Sequence, residues 1–440
     1  MADLRLVLPA LNTEYIEPFY TLERTLLAEW HVIHQWFATQ WRLTPPPVYG
    51  SVDLRNAGFK VAPIDMNLFP AGFNNLNPTF LSVSAAGAKK SIHETKPDAK
   101  NILIITESHT RNLFYWDNVK AIINTLQAAG FTVCVSRLDL APHTSTDITL
   151  RSGEIIRVEG LIREANALIA GHFKPDYILL NNDLSEGIPA ILHDVDVPLM
   201  PPAELGWSKR FKSEHFQFYA EVAADFAKEV KLDPWLIAPL FRYCGELNFM
   251  QQEGMDCLVA NAEILFAEIE AKYAEYQLPY KPFLVVKADT GTYGMAVMTV
   301  RSIDELKSLN RKQRTRMATT KSGQPVRRVI IQEGVHTFEV VGSKRSVAEP
   351  VVYLWGNCVA GGFYRVHQER GIDENLNAPG MHFEPLAFPN CCDSPHEELG
   401  LDDSQNRLFV YGVIARLSML AAAREVHHLV TEKMKTAPLK

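Results

Sequence analysis

Leu22, Leu26, Trp30, Ile33 and Phe37 recur at helical spacing, which predicts one amphipathic helix from a cap at Asn12 to about Trp41, stopped before Pro45. Residues 51–77 then lose both helical and strand periods. Asp53, Arg55, Lys60, Asp65, Asn67, Asn74 and Asn75 stand there among Gly, Pro and Phe, which predicts a polar loop that binds something charged. From Asn101 the order is apolar run, polar loop, helical pattern, Gly130 and a second apolar run, a β-α-β unit of parallel type. A further strand from Tyr177 ends on Asn181, Asn182 and Asp183. Residues 207–276 read as helical, two apolar runs flank a Gly turn between Pro282 and Val300, and a short strand ends at Gln332 and Glu333. The last apolar stretch predicts a helix whose Leu408, Val413, Leu417 and Leu420 close the core. The expected class is α/β in the wide sense (α+β). It divides into an N-terminal helix and loop region (1–98), a parallel α/β domain (99–205), a helical region (206–278) and a domain over 279–440.

A chain of 440 residues can bury a large core, and 47% hydrophobic with 22% charged residues describes an ordinary globular protein. The net charge of −7 argues against nucleic acid, and the dispersed cations Lys307, Lys312, Arg316 and Arg328 read as a solvated face. No apolar run reaches membrane length and the start lacks a signal-peptide pattern, so a cytoplasmic location is expected. Six cysteines without C-x-x-C spacing predict reduced, mostly buried thiols rather than a zinc site.

The candidate chemistry starts at Lys287, on the strand that enters the Gly-bearing turn Asp289–Gly294. A hairpin whose tip carries Gly291, Thr292, Tyr293 and Gly294 can bring backbone amides and an ammonium over the phosphates of a nucleotide, because glycine lets the main chain approach an anion. It fits neither the Walker loop nor the dinucleotide fingerprint, and such a hairpin can equally be structural. Gln332 and Glu333 are placed to lie beside a nucleoside. Glu349, Asn375 and Asn377 offer hard oxygens for magnesium, and Arg365 offers charge for a phosphorylated intermediate. The ENLNAPG stretch that carries the two asparagines reads as readily as a turn. Arg55 and Lys60 are expected to grip a carboxylate and Asp65 an ammonium, an amino-acid pocket that Asn67 and Asn74 would line. Because ligands gather at the carboxyl ends of parallel strands, Glu107, His109, Thr110, Arg111 and Asn182 join the candidates.

The order lysine strand, Gly hairpin, strand with a polar pair, then acidic and amide residues resembles the ATP-grasp enzymes. The tail after Phe388 lacks the Glu-x-Asn pair that many of them use for metal. The stretches DLRNAGFKVAPIDMNLFPAGFNNL, GGFYRV and ENLNAPGM together resemble the proteobacterial glutamate-cysteine ligase family over nearly the whole chain. That resemblance implies an ATP-grasp scaffold similar to glutathione synthetase. It further implies ATP and magnesium as cofactors, and formation of gamma-glutamylcysteine from glutamate and cysteine through an acyl phosphate, in a possible homo-oligomer acting only on small molecules. Other readings stay open: a ligase for other amino acids, a non-catalytic amino-acid or nucleotide sensor, or a metal-dependent hydrolase.

Overall fold

The computed structural model describes residues 10–11, 17–108, 112–291, 296–320, 323–386 and 404–436. The N-terminal helical pattern is realised as two helices, Glu17–Ala28 and Trp30–Leu43, rather than one, with a break at Glu29. Leu22, Leu26, Ile33 and Phe37 are buried as their spacing demands, and Thr44 is extended just before Pro45, where proline's ring disfavours helical backbone. The expected cap at Asn12 lies outside the described residues.

The largest correction concerns residues 51–67. This segment is not a loop but an antiparallel hairpin, Tyr49–Asn56 with Val61–Asn67, that joins a seven-stranded sheet by pairing its first strand to Ser346–Trp355. Val52 and Leu54 turn into the hydrophobic core while Ser51, Asp53 and Arg55 turn the other way. The strand period was present, but both faces are buried and one of them is polar, so the usual inside-apolar, outside-polar signal vanished. In consequence the regions 1–98 and 279–440 share one sheet.

Residues 101–106, 132–137 and 177–181 form the expected parallel core of a second seven-stranded sheet, with helix Leu113–Ala128 as the crossover. The lysine-bearing hairpin Leu284–Ala288 with Val297–Val300 lies in a four-stranded antiparallel sheet, flanked by Val329–Glu333, which pairs on its far side with Phe241–Cys244. That last strand interrupts the stretch expected to be helical, between Lys212–Glu229 and Met255–Glu275. Helix Ser404–Thr436 is buried on every side from Leu408 to Ala423 and packs on Lys212–Glu229 and on the 49–67 hairpin, as an apolar surface all round requires. Among the described cysteines only Cys244 is buried, so the expectation of mostly buried thiols does not hold, although all four are free. No described helix is long and apolar enough to cross a membrane.

Candidate active site

All three sheets contribute to one cleft of about 800 Å³. The antiparallel sheet supplies Asp53, Asp65, Glu349 and Arg365, the four-stranded sheet supplies Lys287 and Gln332, and the carboxyl end of the parallel sheet supplies Glu107, Asn181 and Asp183.

Strand register builds the acidic and basic centre. Glu349 and Arg365 lie directly opposite in the hairpin Ser346–Trp355/Cys358–His367, and Asp53 opposes Asp65 in the other hairpin. Arg365 Nη1 donates to Glu349 Oε1 at 2.5 Å and to Asp53 Oδ2 at 2.9 Å. Arg55 donates to Glu349 Oε2 at 2.9 Å and to the carbonyls of Val335 and Glu374. Burial pushes the Glu349 carboxyl up, but the two guanidinium groups more than offset this and hold it below the usual range. Burial together with the neighbouring Glu349 and Asp65 raises Asp53, against the pull of Arg365.

Lys287 donates to Gln332 Oε1 at 2.9 Å and to the Ile64 carbonyl at 2.5 Å, and burial lowers its ammonium to about 8 despite Asp65 nearby. Lys212, at the start of its helix, was not singled out from the sequence. Its Nζ reaches both oxygens of Asp65 at 2.8 Å and lies 3.9 Å from the Trp207 ring. Burial raises the Asp65 carboxyl, but Lys212 and Lys287 together outweigh it and hold it at about 2. The only signal for Lys212 was a basic run at a helix start. What places it is Asp289 of the lysine hairpin, whose carboxylate accepts from Ser213 N and Oγ and whose carbonyl accepts from Lys212 N.

Of the residues expected to bind, Lys287, Gly291, Gln332, Glu333, Arg55, Asp65, Asn67, Asn74, Glu107, Glu349, Arg365, Asn375 and Asn377 all line this cleft. Thr292, Tyr293, Gly294, His109, Thr110 and Arg111 lie outside the described residues. Three expectations, for Lys60, Asn182 and Arg55, do not hold. Lys60 is at the buried tip of the hairpin, where its ammonium meets Glu333 at 2.7 Å and sits over the Trp235 ring; the carboxylate it grips is internal. Asn182 turns away from the cleft and bonds to the Thr106 carbonyl and Leu184 N, because neighbouring residues leaving a strand point to opposite sides; Asn181 and Asp183 line the cleft instead. Glu333 itself is occupied by Lys60, Trp235 Nε1 and Leu240 N. Arg55 likewise grips Glu349 rather than an open position.

Three buried donors on cleft-lining side chains, Arg365 Nε, Gln332 Nε2 and Trp207 Nε1, have no acceptor among the described residues. Such groups cost free energy unless a ligand or water satisfies them, so they fit a site for an oxygen-rich molecule. Gly291 adopts φ +88°, and among the described residues a side chain there would meet nothing nearer than 3.7 Å. For magnesium, no three His, Cys, Asp or Glu side chains form a ready cage among the described residues. Glu349 does not fit the expected metal role, because both of its oxygens are taken by Arg55 and Arg365; Asn375 and Asn377 do share the cleft, and a magnesium ion delivered on phosphate needs only one or two protein oxygens.

A family model described as glutamate-cysteine ligase (GshA) matches residues 23–426. The chain belongs to the glutamate-cysteine ligase family. Its activity is accordingly that of a ligase forming gamma-glutamylcysteine. A crystal structure from Methylobacillus flagellatus KT, provisionally assigned as a gamma-glutamylcysteine synthetase, is 47% identical, with 96% of this chain and 100% of that one covered and a TM-score of 0.88. A glutathione synthetase-like effector from Globodera pallida shares 10% identity (83% and 79% covered, TM-score 0.35). D-alanyl-alanine synthetase A from Vibrio cholerae shares 8% (72% and 81% covered, TM-score 0.32). Those two likenesses are too slight to carry an argument. No curated protein sequence gives a match.

Proposed function

We propose that this glutamate-cysteine ligase uses ATP and magnesium to phosphorylate the gamma-carboxylate of L-glutamate, and that the amine of L-cysteine displaces phosphate from the acyl phosphate. A carboxylate has no adequate leaving group, and phosphorylation supplies one. No protein nucleophile is then required: the protein aligns reactants and neutralises charge. The observation that carries this reading is the convergence of Lys287 and Lys212 on Asp65, in the same cleft as Arg365.

In this reading Lys287, Lys212 and the backbone amide of Gly291 hold polyphosphate, and Thr292, Tyr293 and Gly294, outside the described residues, are proposed to join them. The strand Val329–Glu333 flanks the nucleoside, with Gln332 Nε2 as a donor, while Glu333 acts through Lys60 to fix that strand. Magnesium carried on the phosphates would be held by the side-chain oxygens of Asn375 and Asn377 and would supply further charge neutralisation. Arg365, oriented by Asp53 and Glu349, brings its guanidinium to the charge that develops during acyl transfer. Asn67, Asn74, Glu107 and Arg111 complete the amino-acid pocket. The ATP-grasp arrangement and a cytoplasmic setting belong to the same proposal.

The test is release of ADP with glutamate, with and without cysteine. Stoichiometric ADP and gamma-glutamylcysteine are expected with the pair. Binding of both amino acids without ADP release would favour a sensor instead.

A further inference from the structure

We propose that Arg151 anchors the carboxylate of the acceptor amino acid, which is cysteine in the reaction proposed above, on which this inference rests. Among the described residues, Arg151 is the one cation that the parallel-sheet unit gives to the cleft. It sits in a tight turn closed by Gly153 N donating to the Leu150 carbonyl at 3.0 Å, with Gly153 at φ +86°. Two contacts fix its guanidinium. Asp117 on helix Leu113–Ala128 takes the edge formed by Nε and Nη2, at 2.6 and 2.5 Å, and the Phe114 ring lies 3.9 Å from the guanidinium carbon.

That leaves Nη1 without an acceptor among the described residues, on a side chain still 49% exposed beside the cleft. Phe114 is itself 64% exposed, which a packing role does not explain; as a platform for the guanidinium it holds the planar fork ready for a carboxylate. Arg365 and Lys212 cluster around Asp53, Asp65 and Glu349, where charge must be neutralised during phosphorylation. An acceptor amino acid carries its amine and carboxylate on one carbon, so a carboxylate held by Arg151 fixes where that amine stands in the cleft. The bland alternative is that Arg151 and Asp117 merely tie a hairpin turn to a helix.

The two differ in kinetics. Arg151→Ala should raise the KM for cysteine about 10- to 100-fold, the value of one charged hydrogen-bonded contact, and leave the KM for glutamate and for ATP where they were. Arg151→Lys should recover part of the loss. Cysteamine, which is cysteine without its carboxylate, should be a poor acceptor for the wild type, and R151A should no longer distinguish the two. An unchanged cysteine KM, a shift in the glutamate KM instead, or full retention of the cysteine-over-cysteamine preference would each overturn the assignment. A wild type that makes no ADP with the amino-acid pair would overturn the underlying reaction itself, and that control is read first.

Discussion

Asp53 and Asp65 stand directly opposite each other in one hairpin, yet each is bound by a cation from a different part of the chain: Asp53 by Arg365 at 2.9 Å and Asp65 by Lys212 at 2.8 Å. Two carboxylates facing each other repel, and neither hairpin strand could hold them there alone. Arg365 comes from the neighbouring strand pair and Lys212 from a helix start, so the folded arrangement of three elements creates a site of alternating charge.

Lys287→Ala should reduce turnover by at least about 100-fold, since a preorganised charge at a developing anion is typically worth that much. Stability should fall by about 1–3 kcal/mol, because Gln332 Oε1 and the Ile64 carbonyl lose their donor. ADP release and thermal unfolding measured on the same sample check both. A mutant with near wild-type turnover removes Lys287 from the phosphate site.

The pH dependence should split. Lys287 is lowered to about 8 by burial, so in the free enzyme nucleotide affinity should fall as pH rises through 8 and the ammonium is lost. Stability moves the other way: between about 8 and the unfolded lysine value of about 10.4 the unfolded chain binds more protons at this site, so its contribution to stability rises with pH. For Asp65, held at about 2, the contribution is present above about 4 and is lost as pH falls toward 2. Nucleotide titrations and denaturant melts across pH read these separately.

Lys60→Met should destabilise the fold by about 3–5 kcal/mol, because Glu333 is left charged and buried. If Lys60 is structural, the KM for glutamate measured on the folded enzyme stays near the wild-type value. A specific rise in that KM with little loss of stability would restore Lys60 to the substrate pocket.

Gly72→Ala tests the wall of the cleft. Gly72 lies at φ +151°, and a side chain there would collide with the Tyr353 hydroxyl, while its backbone N–H donates to Asn118 at 2.8 Å. Moving this loop weakens one of the ties between the antiparallel sheet and the parallel-sheet unit, alongside Tyr49 to the Leu180 carbonyl. A loss of about 1–3 kcal/mol with impaired turnover is expected; unchanged melting and kinetics would show that the loop adapts freely.

Local sequence by itself determined the β-α-β unit from Asn101, the lysine hairpin from Leu284, the strand ending at Glu333 and the buried terminal helix. Each is set by apolar periodicity and turn residues acting over a few positions. The tertiary structure decided the rest. Whether Arg55 and Lys60 faced a substrate or an internal carboxylate depended on Glu349 and Glu333, each more than 270 residues away along the chain, and Lys212 became part of the cleft only through Asp65 and Asp289. The physical reason is that a polar residue in sequence advertises a charge to be satisfied, while the partner that satisfies it is chosen by which strands and helices the hydrophobic core brings together.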